Sequence, residues 1–322
     1  MEIGSFIELD IENTGEYYPD GENIASLNSA RAGIYHALKH LDVEKVYMPY
    51  YQCPTVNKFL EKKEIKIIKY HLNHSFFPLV EKNPENTAIV LVNYFGIFSH
   101  SFLKKISHGF NNVIIDNGPA FYNPPIEGCY NVYSPRKFFG VPDGCYVIGP
   151  SARHGIENYK QDYSSATSLF LLKRHEAGCS NSYNERLKNE ERIDESDILR
   201  MSLLTKSLLK GINYQNIRHL RRRNFEYAHK QYKDINLLDV CHNYDDSCVP
   251  MFYPLVIEND SIVDELNKKK IFTGRRWNAV LKEVASDSFE YWLSRFMIPL
   301  PIDQRYGVDT LDYIFENVKQ HL

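Results

Sequence analysis

The sequence has no C-x-x-C pair. Its six cysteines (Cys53, Cys129, Cys145, Cys179, Cys241 and Cys248) are scattered, which argues against a structural zinc or a disulfide framework. The phosphate fingerprints G-x-G-x-x-G and G-x-x-x-x-G-K are both absent, so dinucleotide-binding and nucleotide-hydrolysing readings lose their main support. The twelve histidines offer no H-x-x-x-H pair in a metal context, and no metal site is expected. Positive charge is not in surplus: 38 Lys and Arg stand against 41 Asp and Glu, a net charge of -3. A general nucleic-acid binder needs a basic field that this chain lacks. Long apolar runs are missing too, since the longest, Ala88 to Phe98, is broken by Asn93 and Gly96. The opening MEIGSFIELDIE has neither a basic start nor an apolar signal core. Neither a membrane span nor export is expected, and a cytoplasmic protein with reduced thiols is the plain reading. Tryptophan is scarce at two, yet 23 Tyr and 18 Phe bring the aromatics to 13%. That is more than a core needs, so some rings should line a pocket or an interface.

What is present fits a folded protein of 322 residues, long enough for two domains, at 43% hydrophobic and 25% charged. From about Ile24 helical and strand-like stretches alternate, as a parallel α/β sheet requires. Asn28-Ser29 can cap a helix running to Leu41, and Pro54 to Lys62 reads as a second helix. Strands are expected at Lys45–Met48, Ile65–Tyr70, Ala88–Val92, Val113–Ile115, Asn131–Tyr133 and Cys145–Ile148. Ser165 to Lys233 is charged and mostly helical, like a spine between domains. Strand-like Pro250 to Ile257 and helices at Ser261–Lys270 and Asp309–Lys319 then suggest a small α+β unit. The expected division is 1–205 for the N-terminal segment and large domain, and 206–322 for the spine and small C-terminal domain.

Four segments stand at strand ends or helix starts: Asn28-Ser29-Ala30-Arg31-Ala32-Gly33, Pro49-Tyr50-Tyr51-Gln52-Cys53, Ile114-Ile115-Asp116-Asn117, and Ser134-Pro135-Arg136-Lys137-Phe138-Phe139-Gly140. In open α/β sheets ligands bind beyond the carboxyl ends of strands, and a helix N-terminus offers free N–H groups to a phosphate. The segments could converge on one phosphorylated ligand.

In order and content these segments resemble the DegT/DnrJ/EryC1/StrS sugar aminotransferases, pyridoxal-phosphate (PLP) enzymes of fold type I. The resemblance implies an α/β fold with a mostly parallel sheet covered by helices and a small C-terminal α+β domain. It implies a PLP cofactor, a nucleotide-linked keto-sugar substrate serving cell-surface polysaccharide or amino-sugar synthesis, an amino acid such as glutamate as donor, and a homodimer with its active site at the interface. By the same resemblance Lys137 matches the lysine that holds the cofactor covalently and shuttles protons, and Asp116 matches the partner of the pyridine nitrogen. Ser29, Ser134 and the N–H groups near Ala30 become phosphate candidates, with Arg31 as a charged alternative. Asn93 joins the cofactor-binding set. Tyr51 is the nearest aromatic to cover the ring, although Cys53 occupies the family position. Arg275, Arg276 and Trp277 fall where related enzymes present C-terminal residues to substrate.

The chemistry gives reasons for these residue types. A carboxylate beside the ring nitrogen keeps it protonated, which makes the ring an electron sink, and one amine can serve as both anchor and base. Bland roles compete: a lone lysine is commonly a surface charge, an Asp ending a strand a turn residue, and Ser29 a simple cap. Arg218, Arg221, Arg222 and Arg223 read as a solvated or ion-paired helix face before an anion site. Two departures bear on activity. Pro119 stands where the family usually has glutamine, and only Leu199-Arg200-Met201-Ser202 resembles the family's G-Y-N-x-R-M segment. A degenerate homologue with a binding or assembly role is therefore an alternative, as is a PLP-dependent sugar dehydratase. The retained Lys137 argues against the family variant in which histidine replaces lysine.

Overall fold

The computed structural model describes Ile3 and residues 5–322. Met1, Glu2 and Gly4, part of the opening MEIGSFIELDIE on which the expectation of no export signal rests, lie outside the described residues. In chain order the large unit comprises β1 (Ile24–Leu27), α1 (Ala30–His40), β2 (Lys45–Pro49), α2 (Pro54–Lys62), β3 (Lys66–Leu72), β4 (Pro78–Leu79), β5 (Ala88–Val92), α3 (His100–Ser107), β6 (Val113–Asn117), β7 (Tyr130–Tyr133) and β8 (Cys145–Ile148). The strands form one sheet in the order β1-β8-β7-β6-β5-β2-β3-β4. β7, β6, β5, β2 and β3 pair in parallel, while β8 runs antiparallel to both β7 and β1. β1 therefore points the same way as the parallel strands. The mostly parallel α/β sheet expected from the sequence is present, with β1 and the short antiparallel edge β4 added to it.

Two parts of the local code explain how α1 is seated. Ser29 has extended backbone and its Oγ accepts from the Ala32 N–H at 3.4 Å, so the helix starts where a hydroxyl can satisfy a free donor. Gly33 then lets the helix lie close on the sheet. A Cβ there would come within 2.6 Å of Cys145 Sγ and 3.0 Å of Val132 and Val147 methyls. The core beneath is apolar throughout, with Ile89, Val90, Ile114, Ile115, Val132 and Val147 all buried. Strands covered by helices read as continuous apolar runs for this reason.

The stretch read as one helical spine is three helices: α4 (Leu169–Glu195), α5 (Leu203–Lys210) and α6 (Tyr214–Tyr232). α4 is itself broken at Gly178, whose backbone adopts φ 78° and ψ -177°. In a continuous helix residues twelve apart stand about 18 Å apart. Here Lys173 Nζ meets Glu185 Oε1 at 2.6 Å, and Thr167 Oγ1 donates to Asn189 Oδ1 at 2.7 Å. The chain doubles back, and α4 is a helical hairpin.

The small unit contains β9 (Tyr253–Val256), α7 (Ile262–Lys268), α8 (Phe289–Phe296), β10 (Met297–Leu300) and α9 (Val308–Lys319), with β9 and β10 antiparallel and α6 packed on α9 and β9. It is fastened to the large unit by Glu290. That buried carboxylate accepts the Leu72 N–H at 2.5 Å and faces His71 Nδ1 at 3.2 Å.

Candidate active site

Because β1, β2, β5, β6 and β7 run the same way, their carboxyl ends share one edge of the sheet. Each sequence segment singled out above follows one of those ends. The joints are tied by backbone: Asn93 N–H donates to Asp116 C=O at 3.0 Å, and Gly144 N–H to Asn28 C=O at 2.8 Å. Asp116 sits at the end of β6, opposite Val132 of β7. Lys137 closes the short 3-10 turn Pro135–Lys137 that follows β7.

Gly118 stands between the two. A Cβ on it would lie 2.8 Å from Asp116 Oδ1 and 3.0 Å from Lys137 Nζ. The bare backbone thus leaves a cradle bordered by a carboxylate and an amine, and the Gly118 N–H donates to that carboxylate at 2.8 Å. Asp116 is buried, whereas Lys137 is solvent-accessible. Surrounding protein nevertheless disfavours the Lys137 ammonium and lowers its pKa from 10.5. Asp116 and Cys53 work against that shift, and Arg276 and Arg136 add to it.

Other side chains at this edge are buried without partners. Asn93 Nδ2 donates to Asn117 Oδ1 at 3.0 Å, which leaves Asn93 Oδ1 and Asn117 Nδ2 unbonded. Both amide atoms of buried Gln52 and the hydroxyl of Tyr51 are also unbonded. Orphaned buried polar atoms are rare in folded proteins and need an account. Ser29 and Ser134 are buried, Ser29 capping α1 and Ser134 making no capping bond. Ala30 begins α1 at this same edge.

Some candidates are turned elsewhere. Arg31 Nη1 bonds Asp194 Oδ1 at 2.5 Å, and its guanidinium lies over Phe59, so it ties α1 to the end of the α4 hairpin. Tyr51 is fully buried, edge-on to Trp277 at 4.5 Å between centroids, which leaves it no open face. Burial pushes its phenol pKa well up. Cys53 is half-buried, with Sγ 3.2 Å from Thr55 Oγ1, and borders Lys137 electrostatically. Arg275 is engaged in structure: Nη1 donates to Phe296 C=O at 2.6 Å and Nη2 to Asn259 C=O at 2.7 Å. Arg276 has no carboxylate partner among the described residues and lies over the Phe252 ring at 5.2 Å. The Leu199–Ser202 segment runs beside β1, bridged at Leu27 and Arg200.

Sequence reasoning overlooked Gly118 at this edge, and it gave no role to Asn117 or Gln52 although both lie in the segments singled out. The D-N-G-P order around Gly118 reads as an ordinary turn, and nothing local announces that its missing Cβ leaves room for a ligand. Among the described residues, no group of three or more His, Cys, Asp or Glu could hold a metal, and no helix is long and apolar enough to cross a membrane.

The fold is the fold type I α/β architecture of the solved aminotransferases it resembles. Among solved structures it is similar to the sugar aminotransferase CalS13 from Micromonospora echinospora, at TM-score 0.60 and 16% identity over 93% of this chain and 88% of that one. A DegT DnrJ EryC1 StrS aminotransferase from Brucella abortus gives TM-score 0.62 and 14% identity, covering 92% and 86%. Spr1654 from Streptococcus pneumoniae, solved in a PMP-form, gives 0.65 and 14%, covering 92% and 85%. No protein-family model matches the chain, and no curated protein matches it in sequence. At these identities the likeness establishes the fold.

Proposed function

We propose that this chain is a PLP-dependent aminotransferase that moves an amino group from an amino acid, glutamate by preference, to a keto-sugar. The observation that carries the reading is the cradle at Gly118, with a buried carboxylate on one side and an accessible amine of lowered pKa on the other. The similar structures add weight, since CalS13 is a sugar aminotransferase and Spr1654 has been solved in PLP- and PMP-forms.

The residues fit the cofactor. Bound there, PLP would supply an aldehyde to receive the amino group and a ring to withdraw electrons from the reacting carbon. Asp116 would hold a proton on the ring nitrogen. Lys137 would anchor the cofactor through Nζ and then move a proton between the reacting substrate carbon and the cofactor. Its lowered pKa favours the free amine that both tasks require. Ser29, Ser134 and the first N–H groups of α1 would grip the phosphate at a helix N-terminus. Asn93 and Asn117 present free amide atoms in the same layer. Arg276 would face the anionic part of a substrate.

A nucleotide-linked sugar, a role in polysaccharide or amino-sugar synthesis and a cytoplasmic setting complete the proposal, the last suiting six free thiols. A homodimer is supported by large apolar side chains left exposed on and near the hairpin, including Leu172, Tyr183, Leu187 and Leu203. A binding or assembly role without turnover is the second reading. Pro119 favours it, having no side chain that can hydrogen-bond the cofactor.

Incubation with PLP followed by borohydride should fix one cofactor mass on the peptide carrying Lys137, and Lys137→Ala should carry none. An unchanged adduct in the variant overturns the assignment. Half-transamination with glutamate separates the enzyme from the binding-only reading, which predicts the adduct alone.

A further inference from the structure

Arg221 leaves the solvated face expected of the arginine run on α6. Arg218 and Arg222 reach exposed Asp246, whereas Arg221 is 2% exposed and its bonds run to neutral acceptors. Nε donates to Gln304 Oε1 at 2.8 Å, Nη1 to the Met251 carbonyl at 3.0 Å and Nη2 to the Phe138 carbonyl at 3.5 Å, while the guanidinium lies over the Phe138 ring at 4.6 Å. Arginine can only donate, so Gln304 must turn its oxygen to Arg221, which points its amide N–H groups elsewhere. Gln304 Nε2 donates to that same Phe138 carbonyl at 2.8 Å. The loop that carries Gln304, between β10 and α9, is held from the same helix. Asn224, buried and three residues beyond Arg221, donates through Nδ2 to the carbonyls of Ile302, Asp303 and Tyr306 at 3.1, 3.2 and 3.0 Å. Phe138 follows Lys137 directly. Its N–H and that of Phe139 both donate to the Pro135 carbonyl, at 2.9 and 2.8 Å, and the Lys137 N–H donates to the Ser134 carbonyl at 3.4 Å. These bonds close the turn from within, and Gln304 with Arg221 adds a hold from the small unit and α6, one residue beyond the lysine.

We infer that Gln304, aimed by Arg221, is a positioning residue for Lys137. It fixes the end of the turn from which Nζ reaches the Gly118 cradle beside Asp116. Its effect passes through the backbone, so the small unit shares in placing an amine that belongs to the large one. That Lys137 carries a cofactor rests on the aminotransferase reading, whereas the hold on its turn does not. The Phe138 carbonyl has lone pairs for both donors, and losing the shorter bond leaves only the long one from Arg221.

The test compares the full-length protein with Gln304→Glu. The new carboxylate keeps an acceptor on Arg221 as an ion pair but offers no N–H to Phe138, so packing survives and the aim is lost. The thermal midpoint should stay in place. Without added PLP, hydrogen exchange of the Phe138 and Phe139 amides should become about tenfold faster relative to those of β5, the effect of one lost hydrogen bond. Trapping of PLP on Lys137 with borohydride should slow about tenfold, and the deficit should persist from about pH 7 to 10, because misplacement does not titrate with the amine. Gln304→Ala, which adds no charge, should repeat both changes. Wild-type exchange in both variants overturns the inference, and so does faster exchange with wild-type attachment. A deficit that appears with Gln304→Glu alone, or vanishes at alkaline pH, is a charge effect on Lys137 and overturns it as well. A wild type that took no cofactor on Lys137 would remove the aminotransferase reading and leave the exchange comparison to decide the hold on the turn.

Discussion

Gly118 concentrates the logic of the site in one missing methyl group. Its φ is not positive, so alanine there meets no backbone strain. The added Cβ would instead press on Asp116 Oδ1 at 2.8 Å and Lys137 Nζ at 3.0 Å, both closer than ordinary contact. One of the two must move, and displacement of about 1 Å in a reacting group can cost on the order of a hundredfold in rate. Gly118→Ala should therefore slow reductive attachment of PLP to Lys137 by about that factor, while the thermal midpoint changes little. Mass spectrometry of the borohydride-treated protein over time gives the rate, and a wild-type rate would show that the cradle is not where the cofactor enters. At this scale the sequence was informative where chemistry repeats a spacing. Asp116, Lys137, Ser29 and Ser134 were picked out through the family resemblance, and the fold brings them to one edge. Arg275 and Arg276 could not be told apart, because the two backbone carbonyls that engage Arg275 come from distant residues, Phe296 and Asn259.

Between residues and fold stand the elements, and the loop after Lys137 depends on one of them. Asp143 is fully buried and accepts from Ser202 N–H at 2.8 Å, Ser202 Oγ at 2.6 Å and Thr205 Oγ1. It thereby pins the N-terminus of α5 to the loop that carries the candidate lysine, with the helix dipole favouring its charge. Burial raises its pKa, and the Ser202 and Thr205 bonds oppose that rise. Asp143→Ala would strand a backbone N–H and two hydroxyls in the interior, a loss on the order of 3 kcal/mol. The urea midpoint should fall accordingly, and amide exchange in α5 should rise more than in β5 or β6. Uniform loosening would mean that Asp143 stabilises the molecule without serving this loop in particular. Elements with a strong local pattern were legible: β5 and β6 are β-branched, apolar and bounded by polar residues. β10 was not, since Met-Ile-Pro-Leu contains a proline that demotes a strand until its partner β9 is known. The α4 hairpin was hidden for another reason. Both sides of Gly178 read as helix, and the reversal shows in distant pairs such as Lys173 with Glu185.

At the scale of the whole molecule, acid should act first through α1, which supports the proposed phosphate site. His36 is buried on that helix, with Nε2 2.7 Å from the Ala152 carbonyl and Nδ1 3.0 Å from the Tyr159 hydroxyl. A neutral ring satisfies both, donating from Nε2 and accepting at Nδ1. Burial lowers its pKa from 6.5 to about 4, and the bond to Ala152 only partly offsets this. The sign follows from proton counting. Between those values the unfolded chain binds a proton that the folded chain refuses, so stability rises with pH through the window and is lost as pH falls from 6.5 towards 4. A shift of this size corresponds to about 3 kcal/mol, a large share of a typical domain's stability. His40, half-exposed on the same helix, has its pKa lowered in the same direction by burial. Urea midpoints measured at intervals from pH 7.5 to 4.5 should decline most steeply below 6.5, and His36→Gln should flatten that decline by up to one proton. Because α1 reaches the sheet edge at Ser29, the same acidification should release PLP from the wild type before global unfolding. If the variant kept the full wild-type slope, the acid sensitivity would have to be assigned to groups away from α1.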